Sequence, residues 1–138
     1  MDAIHLLAER VGSTATFVQA AMSKILRDTP SQYYDRNNSL LREGAQLLLD
    51  KLSQVEGLSP VQPHGAMYVM VGIVVSKFKD IEDDLDFTAK LLAEKSVFVV
   101  PGQAFFVANF VRVTITVPSD LLTTACDRIV EFCQEHRK

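Results

Sequence analysis

From Pro30 to Glu56 the chain carries one unbroken helical pattern, and this segment constrains the fold more than any other. Leu40, Leu41, Ala45, Leu48, Leu52 and Val55 recur at helical spacing, and Gly57 follows at the position where left-handed glycines stop helices. At about 1.5 Å per residue such a helix spans roughly 40 Å, more than a compact domain of this size needs. A helix of that length bridges two bodies.

The pattern on either side agrees. Residues 14–28 read as a second helix, with Ala15, Val18, Met22, Ile25 and Leu26 on one stripe, Ser13 or Thr14 as its cap, and Thr29-Pro30 as its stop. After the long helix comes Ala66–Ile73, a continuous apolar run that predicts a strand buried on both faces. The acidic run Asp80–Asp84 reads as the solvated start of a helix over 83–95, where negative charge suits the helix dipole. Val97–Val100 predicts a second strand stopped by Pro101-Gly102, and Phe110–Val117 a third. Pro118 ends that strand, and Ser119 is expected to cap a last helix reaching about His136. The expected fold class is α/β (α+β): a small three-stranded sheet packed by helices, with the long helix and the last helix covering one face.

The third strand alternates. Val111, Val113, Ile115 and Val117 point one way and Phe110, Arg112, Thr114 and Thr116 the other, which puts one arginine in mid-strand on the less apolar face. A poorly solvated guanidinium needs an anionic partner, and its planar fork fits a carboxylate through two hydrogen bonds. Two readings of Arg112 stay open at this level: it receives the carboxylate of a ligand, or it pairs with a local acid or faces water. The preceding loop, Pro101–Asn109, carries Phe105, Phe106 and Val107, and an apolar loop beside a strand arginine marks either a cleft or an interface. In the alternative, Phe105 and Phe106 fold back as core.

Other chemistry is poorly supported. His5, His64 and His136 are scattered and lack metal-ligand spacing, so no metal site is expected. Cys126 and Cys133, seven apart on one helix face, cannot bridge each other and read as reduced buried thiols, in keeping with a cytoplasmic chain. No glycine-rich phosphate loop and no calcium-loop spacing occurs. Tyr33, Tyr34 and Tyr68 are read as contacts to substrate or a partner chain, or as core or rim packing. The net charge of −3 and pI near 5.5 argue against nucleic acid or anionic membrane as partner. No apolar run approaches the ~18 residues that span a bilayer, and Met1–His5 lacks the basic start of a signal peptide.

Five segments, in order, resemble one family. Ala15-Thr16-Phe17-Val18-Gln19-Ala20-Ala21, His64–Val71, Asp86–Thr88 with Leu91–Val97 and Val100-Pro101-Gly102, Phe110–Pro118, and Cys126–Ile129 with Glu131–His136 are similar to segments of tyrosine aminotransferases, fold-type I enzymes that depend on pyridoxal phosphate. The similarity runs from about residue 12 to 136, and the first dozen residues depart from the pattern. It implies the C-terminal portion of a homodimeric cytoplasmic enzyme that transfers an amino group from an aromatic amino acid to 2-oxoglutarate. It further implies that residues 1–29, with helix 14–28, are a remnant of the large domain, 30–56 the interdomain helix, and 57–138 the small domain. Arg112 stands where the family's arginine clamps the substrate α-carboxylate. The family's cofactor lysine and phosphate ligands lie upstream of the matching region, and none of Lys24, Lys51, Lys77, Lys79, Lys90, Lys95 and Lys138 sits in the lysine motif. The chain alone is therefore expected to have no catalytic residue, to bind no cofactor and to be inactive. A second expectation is a non-catalytic module that self-associates or pairs with a full-length relative.

Overall fold

A computed structural model describes residues 15–138. The expected caps Ser13 and Thr14, and His5, lie outside the described residues. The described residues belong to two units that divide within a helix, one ending at Arg36 and the other running from Asn37 to Lys138.

The first unit holds α1, Thr16–Asp28, and the first turns of α2, Ser31–Leu52. Ala15 precedes α1 without a side-chain cap, and Thr29 closes it through its amide and hydroxyl, both donating to the Ile25 carbonyl. No residue of α1 is buried, and Phe17, Ile25 and Leu26 are well exposed.

The long helix is shorter than its pattern. It ends at Leu52, not Glu56, and residues 53–56 form turns before Gly57, whose φ of +97° meets the left-handed expectation. At about 1.5 Å per residue its length is roughly 33 Å. Ala45, Leu48, Leu49 and Leu52 are its buried residues, while Leu40 is exposed.

The second unit is a two-layer sandwich of helices on a sheet. The sheet has four strands, not three: β1 (Leu58–Pro60), β2 (Tyr68–Ile73), β3 (Val100–Pro101) and β4 (Phe110–Thr114), all antiparallel in the order β1-β2-β4-β3. The added strand, β1, looked like loop because three residues ending in proline carry no periodicity. Proline is tolerated there because β1 is an edge. β3 is also shorter than expected and includes Pro101, on the opposite edge. Val97 and Val99 are buried beside it without belonging to a strand, and Phe98 is exposed. Ala66 turns left-handed at φ 63° and Met67 is exposed, so β2 starts only at Tyr68.

β2 is not buried on both faces. Val69, Val71 and Ile73 face the core with Val111 and Val113 from β4 and Ile115 just beyond it, whereas Tyr68 and Met70 are half-buried on the other side. The core face is covered by α2, by α3 (Asp84–Lys95) and by α4 (Ser119–Glu135), through Leu48, Leu52, Phe87, Leu91, Cys126, Ile129 and Phe132. Phe87 anchors this layer edge-to-face between Phe78 and Phe132, with ring centroids 6.1 and 5.2 Å away. Val117 lies beyond β4 and is exposed, against the alternation reading. Ser119 does not cap α4; Pro118 precedes the helix and no side chain bonds its first amides. Asp83 does cap α3, accepting from the Asp86 amide at 2.9 Å. Asp84 departs from the solvated reading of the acidic run, since it is fully buried.

Candidate functional site: a stacked arginine on the open face of the sheet

The helices cover one face of the sheet. The other carries Tyr68 and Met70 from β2 and Phe110 and Arg112 from β4, with Arg112 opposite Met70 on one side and Val100 on the other. The strand alternation that sends Val111 and Val113 into the core sends Arg112 to this face. Two rings hold its guanidinium. Cζ lies 4.2 Å from the centroid of Tyr68 and 4.3 Å from that of Phe105. Such contacts favour a cation electrostatically and keep its plane fixed.

Stacking leaves the donors to be accounted for. Among the described residues Arg112 forms no ion pair with any Asp or Glu, and its Nε is buried with no hydrogen-bond partner. Of the two alternatives to a ligand carboxylate, a local acid and water, the local acid has no counterpart among the described residues. An unpaired buried donor costs about 1–3 kcal/mol.

Phe105 comes from a short 3-10 turn, Gly102–Phe105, between β3 and β4. It does not fold back as core; it is half-exposed over the guanidinium, and Phe106 beside it is wholly exposed. The turn depends on Gly102, where a Cβ would stand 2.2 Å from the Val107 carbonyl oxygen and 2.9 Å from Phe110 Cβ. Asp84 holds the loop from beneath. Its Oδ1 accepts from Gln103 Nε2 and from the Asn109 amide, and its Oδ2 from the Gln103 amide, each at 2.9 Å. Burial works to raise the Asp84 pKa, but the bonds from Gln103 and Asn109 outweigh it and keep the carboxyl below the ordinary carboxylate value. Sequence reasoning missed this residue because it hides in a run of exposed acids. The signal, in retrospect, is a pair of polar residues, Gln103 and Asn109, bracketing an apolar loop.

Tyr33 and Tyr34 are exposed and stack edge-to-face on each other, 5.6 Å apart, in the first unit. His64 is exposed on the loop before β2. His136 is buried between two carboxylates, Asp80 at 2.7 Å and Glu94 at 2.8 Å. No cluster of three or more His, Cys, Asp or Glu among the described residues is arranged to hold a metal. Cys126 and Cys133 are free and buried, with burial raising their thiol pKa values to about 11 and about 12. No helix among the described residues is long and apolar enough to cross a membrane.

An imine-forming lysine must present a neutral amine beside a cleft. Every lysine of the described residues but the exposed, C-terminal Lys138 is otherwise engaged. Lys24 pairs with Asp28, Lys51 with Asp127, Lys77 with Glu56, Lys90 with Asp86 and Lys95 with Glu135, and Lys79 donates to the Glu135 carbonyl. The Asp86 bond raises the Lys90 pKa and the Glu135 bond that of Lys95, opposite to what imine chemistry needs. No described lysine is thus set up as an imine-forming amine beside Arg112.

Comparison with known proteins bears on the family and the fold. Residues 1–129 match the family model described as aminotransferase class I and II. The chain is 44% identical over 135 residues to the tyrosine aminotransferase of Mus musculus, covering 98% of this chain and 30% of that protein. The crystal structure of tyrosine aminotransferase from Leishmania infantum superposes with a TM-score of 0.83 at 36% identity, over 87% of this chain and 30% of that one. That of the aspartate aminotransferase from Rhizobium meliloti gives 0.82 at 27% identity, over 98% and 35%. The chain thus spans about a third of the length of the proteins it matches, and its architecture is the one found in fold-type I aminotransferases. On the family match and the shared fold together, it belongs to the aminotransferase class I and II family.

Proposed function

We propose that this chain supplies the substrate-carboxylate clamp of a pyridoxal-phosphate-dependent aminotransferase of the tyrosine aminotransferase kind, with Arg112 receiving the α-carboxylate of the amino acid and of the 2-oxo acid. The observation that carries this reading is the state of Arg112: stacked between two rings, free of any acid among the described residues, with a buried donor left over. In the proposed enzyme residues 57–138 act as the small domain, the long helix within 30–56 links it to the large domain, and residues 1–29 belong with the large domain. The imine-forming lysine and the cofactor's phosphate ligands come from the rest of the enzyme, so that this chain alone is inactive. The cofactor supplies the electron sink for amino-group transfer. Arg112 orients the substrate by its carboxylate, and Tyr68 and Phe105 fix the plane of the fork and keep water from its faces. Aromatic amino acids are the proposed donors, on the 44% identity to a tyrosine aminotransferase, and the cytoplasm the proposed compartment, in keeping with two free thiols.

Steady-state kinetics of a whole enzyme carrying this segment test the role. Losing two charge-assisted hydrogen bonds, each worth about 1.5 kcal/mol, predicts that Arg112→Ala lowers kcat/KM on the order of 100-fold, mostly through KM. Unchanged kinetics would reject it.

One observation favours a second reading. α1 exposes Phe17, Met22, Ile25 and Leu26 and buries nothing. A chain present in the cell at this length would cover that face by pairing with a second copy or a full-length relative. Light scattering at micromolar concentration tests this, and a clean monomer counts against it.

A further inference from the structure

The clamp reading needs the Phe105 ring to lie on the guanidinium, and nothing in the strand pairing places it there. Tyr68, on the other side of Arg112, is set by the β2–β4 ladder, in which it pairs with Thr114. Phe105 instead belongs to the loop between β3 and β4, where backbone geometry alone would not hold it. Phe106 and Asn109 both adopt left-handed conformations, with φ of 61° and 60°; asparagine visits this region readily, but a bulky residue such as Phe106 does so only where the surroundings impose it. Within the loop the Phe106 amide donates to the Gln103 and Gly102 carbonyls and the Val107 amide to the Gly102 carbonyl, all at the turn itself, so none of these bonds ties the loop to the rest of the unit.

We propose that Asp84 is the positioning residue of the Arg112 site: its buried carboxylate ties both ends of the 103–109 loop, so that Phe105 closes one face of the guanidinium and presents it to a substrate carboxylate. The inference rests on the reading that Arg112 binds such a group. Among the described residues Asp84 is the one fully buried acid. Its two oxygens take N–H donors from Gln103 at the start of the loop and Asn109 at its end. A carboxylate alone among side chains accepts at both oxygens with no donor of its own, which is what this arrangement of three N–H groups requires. The position of Asp84 in the first turn of α3, a helix capped by Asp83, adds the favourable end of the helix dipole. A charge this deep is costly to bury, and the three bonds from the loop, with the helix start, offset that cost. The Asn109 carbonyl in turn accepts from the Ile73 amide, which continues the tie to β2 and the sheet that carries Arg112.

Asp84→Asn in the full 138-residue chain tests the role, because the amide keeps the shape and turns one acceptor into a donor facing Gln103 or Asn109. Two readouts are taken: nuclear Overhauser contacts between the Phe105 ring and the Arg112 side chain, and the Kd for 3-phenylpropanoate, an aromatic monocarboxylate. The expected result is a variant with native core signals, lost Phe105–Arg112 contacts and a Kd raised about tenfold or more. Gln103→Ala, which removes one of the three bonds, should give a partial loss of both. Native contacts and an unchanged Kd in a folded Asp84→Asn variant overturn the proposal. If that variant does not fold, Gln103→Ala decides: partial loss supports the role and unchanged contacts with unchanged Kd overturn it. Should the unaltered chain fail to bind 3-phenylpropanoate, the clamp reading falls. The Overhauser contacts still decide in that case whether Asp84 places Phe105.

Discussion

Gly102→Ala probes the loop that closes the site, and its cost follows from the packing. The new Cβ would lie 2.2 Å from the Val107 carbonyl oxygen, 2.9 Å from Phe110 Cβ and 2.9 Å from the Phe110 carbonyl oxygen. Two of the three are backbone atoms, so relief requires moving chain rather than turning a rotamer. Overpacking of this kind costs about 1–3 kcal/mol. The movement also strains the bond from the Val107 amide to the Gly102 carbonyl and those from Gln103 and Asn109 to Asp84, and hydrogen bonds to a charged group are worth about 1.5–3 kcal/mol each. A total near 3 kcal/mol or more is expected. For a unit of roughly 100 residues, at about 4–8 °C per kcal/mol, the melting temperature should fall by about 12 °C or more. Gly65→Ala is the control, because a Cβ there meets nothing within 4 Å and its φ is not left-handed. That change should be neutral or stabilise by about 0.4–1 kcal/mol through the unfolded state. Thermal melts followed by circular dichroism measure both. A Gly102→Ala variant melting within a few degrees of the unaltered chain would refute the account of the loop.

Two further outcomes follow from the titrating groups. Burial works against the His136 charge, but its bonds to Glu94 and Asp80 outweigh this and raise its pKa above 6.5. A raised folded value means the stabilisation is complete below pH 6.5 and is lost as pH climbs through the folded pKa. Urea midpoints should therefore decline from pH 6.5 upward, and His136→Gln should flatten that decline; an equal slope in both proteins contradicts the assignment. Cys126 and Cys133, with thiols raised to about 11 and about 12 by burial, should resist a disulfide reagent at pH 8 until denaturant is added, and rapid labelling of the native chain would contradict their burial.

Much of this was legible in the residues, for reasons that vary by element. The arginine on β4 was evident because strand alternation is strict: Val111 and Val113 in the core force Arg112 to the opposite face. α3 was evident because an acidic run suits a helix start, and Asp83 in that run turns out to cap it. The end of α2 was misplaced because Val55 continues the apolar stripe after the helix has unwound, and half-burial of a turn residue mimics periodicity. β1 escaped notice because an edge of three residues needs only pairing to Ile73, Gly72 and Val71, which no local pattern encodes. Asp84 was invisible for a similar reason. Its partners are 19 and 25 residues away, and its neighbour Asp83 has the surface role the pattern assigns to both.

The clamp itself can be watched directly. Side-chain N–H signals of all arginines are followed by nuclear magnetic resonance while 3-phenylpropanoate is added at constant ionic strength. The account predicts a saturable shift at Arg112 alone, abolished by Arg112→Gln as the signal itself disappears and binding measured by calorimetry is lost with it. Small, unsaturating shifts shared among the exposed arginines such as Arg27 and Arg137, with Arg112 no different from them, would contradict it.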